Sequence, residues 1–592
     1  MNEKKNTPKT NGFVQGALVL GIANLIVKII GAFFKIPLTN LIGDDGMGYF
    51  NIAYQIYTFM FIVATAGFPI AISKMVAEST AKNHEQDAKR IFQTALRFLA
   101  AIGLIGTALL FVFHNQLEAL VSVPGSALGI LAISPAVFFV SMASVYRGYF
   151  QGRQNMLPTA LSEVIEASAK LIVGMLAASF FMNMAVDTNL SAAVDIAAKK
   201  VQSLHLRTVY ASAGAISGVT TGTFLSFLLL SIIYLATKKR RAKLPQAAPL
   251  RSNRTILKEL ILIAIPITIG ASVSSLTSLI DMATITRRLV TRPEVLSHYD
   301  FMFREGTKFA TQVAEEGWQG LTLYQHEAST LYGMYTGKAL TIFNLPLTLV
   351  VALGMSVVPA ISAAVTRKNG LEARSITESA IRIAVLFAAP CALGLASLSK
   401  EVLFLLFGDT NAKSVMAILG IAIIPVSVVS VTNAILQAYG KVYLPVINMI
   451  IGGIAKVLVN FFCIPYLGID GAPVGTFICY TIIAVLNITQ IIRHAKIRFR
   501  PSTFLLKPLF AALIMGGVGF VLGTFVTGPG FLENAAVNIW LRRLLIAAEL
   551  GVCALTYLFA VFAVKAIARE DVLRLPKGEK IAAVLTKCKL LK

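Results

Sequence analysis

Apolar runs of about twenty residues recur from Phe13 to Lys565, each long enough to cross a bilayer as an α-helix. Nothing else in this sequence restricts the fold so strongly. In hydrocarbon every backbone N–H and C=O must find a partner within the protein, which leaves only helices and closed barrels. Stretches of this length suit helices. We therefore expect an all-α polytopic membrane protein with about fourteen transmembrane helices, at 13–36, 49–73, 91–113, 128–150, 158–182, 209–236, 256–286, 338–365, 379–399, 413–437, 444–465, 471–492, 505–527 and 541–566. A composition that is 56% hydrophobic and 14% charged over 592 residues excludes a soluble fold, which would need more polar surface.

The net charge of +24 would suit nucleic acid only if it formed a basic reading face. It does not. Lys and Arg concentrate in alternate connections: "KNHEQDAKR" after span 2, "TKKRRAKLPQAAPLRSNRTILK" between spans 6 and 7, "TRKNGLEAR" after span 8 and "RHAKIRFRP" after span 12. That pattern places these loops and both termini in the cytoplasm. The N-terminus carries Lys4, Lys5 and Lys9 but no small-residue cleavage site after the first run, so the first run reads as a retained span. The five cysteines form no CxxC pair, and four fall inside apolar runs, where they read as small buried hydrophobes. We expect no metal site and no cofactor.

Weak internal matches recur six spans apart. "FPIAISK" ends span 2 and "VPAIS" ends span 8. "YFQGRQNMLP" precedes span 5 and "QAYGKVYLP" precedes span 11. "AKLIV" (169–173) answers "AKVLV" (455–459), and "GAISG" (214–218) answers "GAPVG" (471–475). Four matches in one order point to duplication, and an offset of six keeps orientation, so the halves are expected to be parallel repeats. We divide the chain into an N-terminal six-helix lobe (1–245), a C-terminal six-helix lobe (246–500) with a long outer loop (287–337), and two further helices with a basic cytoplasmic tail (501–592). The first half carries an extra outer segment, "MNMAVDTNLSAAVDIAAKKVQSLHLR". The loop 287–337 reads either as a surface loop with short helices or as a lid.

Charges inside the spans point to function, because ionisable groups at membrane depth are costly and rare. Lys28 and Lys35 are seven residues apart, about two helical turns, and share a face of span 1. Lys35 either snorkels to the headgroups or lines a cavity. Lys170 and Lys456 occupy equivalent places in spans 5 and 11. Glu163, Glu166 and Lys170 share a face, and Glu166 with Lys170 has the order that favours an ion pair. Asp281 either pairs with Arg287 or Arg288 or joins a cation or proton site. A cavity with excess ammonium groups suits an anion such as phosphate, since lysine binds phosphate as a point charge. "GMYTGKA" (333–339) lacks the spacing, the Ser/Thr and the preceding strand of a P-loop, and "HEAST" lacks a second His.

"TLYGMYTGKALTIFNLPLTLVVALGMSVVPAISAAV" (330–365) resembles the eighth span of the stage V sporulation protein B group. "YRGYFQGRQNMLP" and "AYGKVYLP" resemble that group's loops after spans 4 and 10. The group lies in the multidrug/oligosaccharidyl-lipid/polysaccharide exporter superfamily and is related to MurJ-type lipid II flippases. The resemblance implies a V-shaped bundle of two pseudo-symmetric six-helix lobes plus two C-terminal helices. It also implies movement of undecaprenyl-diphosphate-linked saccharides across a bacterial plasma membrane. Lys28 and Gly31 match the flippases' basic-then-Gly pattern in span 1, while Lys35 falls one residue after their second basic position. Their Asp-Arg in span 8 is replaced by Leu340-Thr341, with Lys338 one turn earlier as a substitute.

We therefore expect a flippase working by alternating access, not an enzyme. Lys28, Lys35, Lys74, Lys170, Lys338 and Lys456 are the expected diphosphate-binding residues, and Asp281, Glu163 and Glu166 are candidates for ion coupling or charge pairing. Expected partners are the lipid-linked saccharide, membrane lipids and cell-wall synthesis enzymes, and no nucleic acid. The rivals are a multidrug or cation antiporter, a non-transporting scaffold for wall synthesis, and a membrane glycosyltransferase.

Overall fold

A computed structural model describes residues 10–82, 84–184, 204–238, 251–303, 307–495, 502–526 and 539–564, with 497 and 566. All regular structure among the described residues is helical. The N-terminal lysines, most of the extra outer segment, most of the basic connection between spans 6 and 7, and the basic tail lie outside the described residues.

Every expected span is helical over most of its length. Eleven helical segments among the described residues are long and apolar enough to cross a membrane. Two of these, Val19–Ala81 and Tyr443–Ala495, each contain a pair of expected spans. Asn253–Val290, with 38 residues, supplies the remaining helix of membrane length. Between the first two expected spans, the stretch "LIGDDGMG" holds a non-helical break at Gly43 (φ 79°, ψ −179°), where two helical runs of Thr10–Thr65 meet at a kink. That backbone conformation is essentially restricted to glycine. The last part of the expected outer loop is helical, so that Gly320–Thr366 runs without interruption through a π-helical turn at Tyr335–Ala339.

The chain forms two compact units, 1–290 with 299–333, and 291–298 with 334–592. The first contains α1 (Thr10–Thr65), α2 (Phe68–Ala81), α3 (Glu85–Val121), α4 (Ala127–Gly152), α5 (Leu157–Met182), α6 (Leu204–Lys238), α7 (Asn253–Val290), α8 (Lys308–Glu316) and α9 (Gly320–Met334). This compact unit extends past residue 245, the expected end of the first lobe, to Val290. Helix α7 belongs with the first unit because Ile256, Leu260 and Ala264 enter a core with Ile72, Met75, Val76 and Ile91. Arg251, just before α7, also binds Asp87 at 2.7 Å. The second unit contains α10 (Leu340–Thr366), α11 (Gly370–Ser397), α12 (Ser399–Phe407), α13 (Lys413–Ala438), α14 (Tyr443–Leu467), α15 (Gly471–Ala495), α16 (Lys507–Val526) and α17 (Ile539–Ala563).

Helix pairing repeats between the units. α2 with α4, α3 with α4, α4 with α6 and α5 with α6 are matched by α10 with α13, α11 with α13, α13 with α15 and α14 with α15. The central helix of each is the most enclosed: the apolar window is 67% buried in α4 and 72% in α13. These are expected spans 4 and 10, so the repeat extends to the core. By contrast α3 turns Leu104, Ile105, Leu109, Phe111, Val112 and Phe113 outward, an apolar surface fit for lipid.

The "GAISG" and "GAPVG" pair now has a physical meaning. A Cβ placed at Gly218 would lie 2.5 Å from Gly174 N, and one at Gly222 would lie 2.6 Å from Glu166 O. In the second unit a Cβ at Gly471 would lie 3.0 Å from Ile464 N, and one at Gly475 would collide with the Asn460 amide. Small residues at four-residue spacing let membrane helices approach closely where apolar burial alone gives no drive. Gly218→Val should therefore lower stability by about 3 kcal/mol, the upper end of overpacking costs, because backbone cannot yield. Gly517→Ala, at a position with nothing within 4 Å, should stay within about 0.5 kcal/mol of the parent. Thermal unfolding in detergent checks both.

The loop 287–337 forms short helices, and its 299–333 part packs within the first unit. Gln312 Nε2 donates to Asp45 Oδ2 at 2.7 Å, and the Tyr49 hydroxyl lies 3.1 Å from His326 Nδ1. Trp318 stacks on His326, with centroids 3.6 Å apart.

Candidate functional site

Helix α5 opens with Pro158 in its first turn, where the missing N–H costs nothing. From there Ser162, Glu163, Glu166 and Lys170 fall at three- and four-residue steps along one face, which packs against α1, α4 and α6. The expected Glu166–Lys170 ion pair is absent. Glu166 Oε2 instead accepts from Arg147 Nη2 on α4 at 2.7 Å, with both side chains largely buried. The same guanidinium donates from Nη2 to Ser226 Oγ on α6 at 2.9 Å and from Nε to Ser162 Oγ at 3.1 Å. Arginine's planar fork holds three helices together where a lysine would reach one partner.

Lys170 is thereby released to face α1. Its Nζ lies 4.1 Å from the centroid of Tyr54 and 5.2 Å from that of Phe34. Lys35 Nζ donates to Asn51 Oδ1 at 3.2 Å, and Asn51 is fixed by donating to Met47 O at 2.9 Å. Lys35 and Lys170 lie within electrostatic reach of one another. Neither makes an ion pair among the described residues. Phe34, Phe50, Tyr54, Tyr57 and Phe61 continue from them as a run of ring contacts, with centroids 5.7–6.1 Å apart. A cation over an aromatic face gains about 0.5–2 kcal/mol, less than the several kcal/mol needed to bury an ammonium. Two neighbouring ammonium groups without a carboxylate therefore leave room for an anion.

The remaining candidates are distributed unevenly. Lys28 lies two turns before Lys35 on an exposed part of α1, and Lys74 is exposed on α2. No contact among the described residues joins either to the Lys35–Lys170 pair. Glu163 Oε2 and the Tyr57 hydroxyl are buried beside the Arg147–Glu166 pair with no hydrogen-bond partner among the described residues. Asp281 is buried on α7. Lys338 and Lys456 belong to the second unit. Lys338 is buried in the π-helical turn and its Nζ meets Asp409 Oδ2 at 2.7 Å, so this ammonium is already neutralised. Lys456 is half-buried on α14 beside Gly475.

Sequence reasoning missed Arg147, Asn51, Tyr54 and Tyr57. A signal for Arg147 existed, since an arginine near the end of an otherwise apolar span needs a buried acid. Its repeat counterpart has a different chemistry. Counting back from Lys170 and Lys456, Arg147 stands where Asn433 does, and Ser162 where Asn448 does. There the second unit has a neutral amide network: Asn487 Nδ2 donates to Asn433 Oδ1 at 2.8 Å, and Asn448 Nδ2 donates to Asn487 Oδ1 at 2.7 Å. One half has charge at this junction and the other has amides.

The second unit also contains an apolar groove of about 590 Å³ between α11, α16 and α17, lined by Leu386, Pro390, Cys391, Met515, Cys553 and Tyr557 among others. Its shape and lining suit a hydrocarbon chain.

Comparison with known proteins agrees with this architecture. Residues 13–366 match the family model described as polysaccharide biosynthesis protein, and residues 326–540 match that described as lipid II flippase MurJ. Stage V sporulation protein B of Bacillus subtilis (strain 168) is 23% identical over 567 residues, covering 95% of this chain and 98% of that protein. Among solved structures, lipid II flippase MurJ in an inward closed conformation superposes with a TM-score of 0.61 at 15% identity, over 92% of this chain and 98% of that one. An inward-facing multidrug resistance MATE family transporter of the MOP superfamily gives 0.58 at 13% identity, over 80% of this chain and 98% of that one. The two structures share the fold. With a family model spanning well over half its length, this multi-pass helical membrane protein belongs to the polysaccharide biosynthesis protein family.

Proposed function

We propose that this protein is a flippase that moves an undecaprenyl-diphosphate-linked saccharide, lipid II or another wall or polysaccharide precursor, between leaflets of a bacterial plasma membrane. The observation that carries this reading is the pair Lys35 and Lys170, two ammonium groups within electrostatic reach of one another that make no ion pair among the described residues. A pyrophosphate supplies the missing negative charge, and in low dielectric the attraction is strong. The apolar groove of the second unit offers a surface for a prenyl chain. Names of relatives point the same way, one being a lipid II flippase.

Lys28 would extend the attracting face two turns along α1. Lys74 and Lys456 are secondary contacts, and Lys338 acts through its pair with Asp409. Alternating access would carry the headgroup across, with both termini in the cytoplasm and wall-synthesis enzymes as suppliers or consumers of the lipid. Glu163, beside the Arg147–Glu166 pair, is the foremost candidate for ion coupling, and Asp281 is the other. A hydrophobic cationic drug would be repelled by Lys35 and Lys170, which disfavours a multidrug antiporter.

The test is reconstitution in liposomes. Labelled lipid-linked saccharide placed in one leaflet should reach the other, read by its accessibility to an impermeant reagent. Binding without movement would favour a scaffold, and release of a glycosyl product would favour a transferase.

A further inference from the structure

The last membrane helix turns two charges inward. On α17 the buried residues Arg542, Ile546, Glu549, Cys553, Tyr557 and Ala560 follow three- and four-residue steps and form one stripe. Glu549 is 4% exposed, and both its carboxylate oxygens are buried with no hydrogen-bond partner among the described residues. Cys553, one turn onward, packs among apolar side chains. Leu398 and Met515 pack in the same core as Cys553, and a Cβ at Gly519 of α16 would lie 3.2 Å from Cys553 Sγ. Leu550 and Cys553, its neighbours on α17, line the apolar groove.

Three titratable or charged groups accompany it. Glu401 comes from α12, is 6% exposed, and acts electrostatically on Glu549. Cys553 lies one turn onward. Arg542 lies two turns back, its guanidinium 6.0 Å from the Phe404 ring. A carboxylate without a donor in such a place costs several kcal/mol. No cluster of three or more His, Cys, Asp or Glu side chains fit for a metal occurs among the described residues. A proton is the ligand that fits. It removes the charge and turns one acid into a donor toward an acceptor.

We propose that Glu549 is an intramembrane proton-binding site beside the apolar groove, holding the proton on its own carboxyl group. Filling the groove with a hydrocarbon chain excludes water and favours retention of the proton. Emptying it favours release, as linkage between neighbouring sites requires.

Dicyclohexylcarbodiimide tests this on the full-length protein in lipid nanodiscs. It reacts with a protonated carboxyl: the acid O–H adds across one C=N bond, with oxygen bonding carbon and the proton moving to nitrogen. The resulting O-acylisourea rearranges to a stable N-acylurea with nothing lost. Peptide mass spectrometry should find the adduct on Glu549, with yield falling as pH rises. Infrared spectroscopy should show a carboxylic-acid carbonyl band that is lost in Glu549→Gln and fades as pH rises. Absence of both adduct and band at every pH at which the protein stays folded, or a band unchanged in the variant, overturns the proposal. If a variant fails to fold, the pH titration of the parent protein still decides. Neither readout requires transport, so the proton site and the flippase activity stand or fall separately.

Discussion

Replacing Lys35 and Lys170 together with glutamine is expected to abolish leaflet-to-leaflet transport while leaving the abundance of folded protein unchanged. Hydrogen bonds to a charged group contribute about 1.5–3 kcal/mol each. Losing two removes about 3–6 kcal/mol, a hundredfold to ten-thousandfold in rate. Stability should move the other way or not at all. Neither ammonium pairs with a carboxylate among the described residues, and removing a half-buried cation relieves part of its desolvation. A merely structural role predicts the reverse, with lower stability and transport falling only in proportion to abundance. Lys28→Gln should cost less, since Lys28 is exposed and joins no contact in the cluster. Full transport in the Lys35/Lys170 double variant would remove the basis of the proposed function.

Arg147→Met should be among the most destabilising single substitutions in the first unit, by about 3–5 kcal/mol, the cost of breaking a buried ion pair. The guanidinium joins α5 and α6 to α4 through Ser162, Glu166 and Ser226. Without it, Glu166 becomes a buried charge beside Glu163, whose Oε2 already lacks a donor. Adding Glu166→Gln should recover most of the loss, since replacing both partners removes the stranded charge. Thermal unfolding of the two single variants and the double variant measures the coupling. An unfolding midpoint for Arg147→Met equal to that of the parent would show that the pair does not hold these helices.

The spans were legible because their signal is local. Twenty apolar residues suit only hydrocarbon, and a helix there satisfies its own backbone. The matched glycines were also legible, because small residues at this spacing mark where two helix backbones approach closely. What eluded sequence reading depended on partners distant in the chain. Glu166 and Lys170 have the spacing of an ion pair, yet an arginine from another helix reaches Glu166 first. Lys338 lies in a span like the other lysines, but Asp409, 71 positions onward, neutralises it. α7 follows a basic connection that resembles a lobe boundary, yet Arg251 and Ile256 attach it to the first unit.

The sequence by itself determined that this is a bundle of membrane helices, built twice, with cations set into several of them. Hydropathy and repeat spacing are properties of the chain, readable before any packing. Only the tertiary structure decided which cations remain without a counter-charge. That depends on which side chains from other helices arrive within about 4 Å, where low dielectric makes one carboxylate decisive.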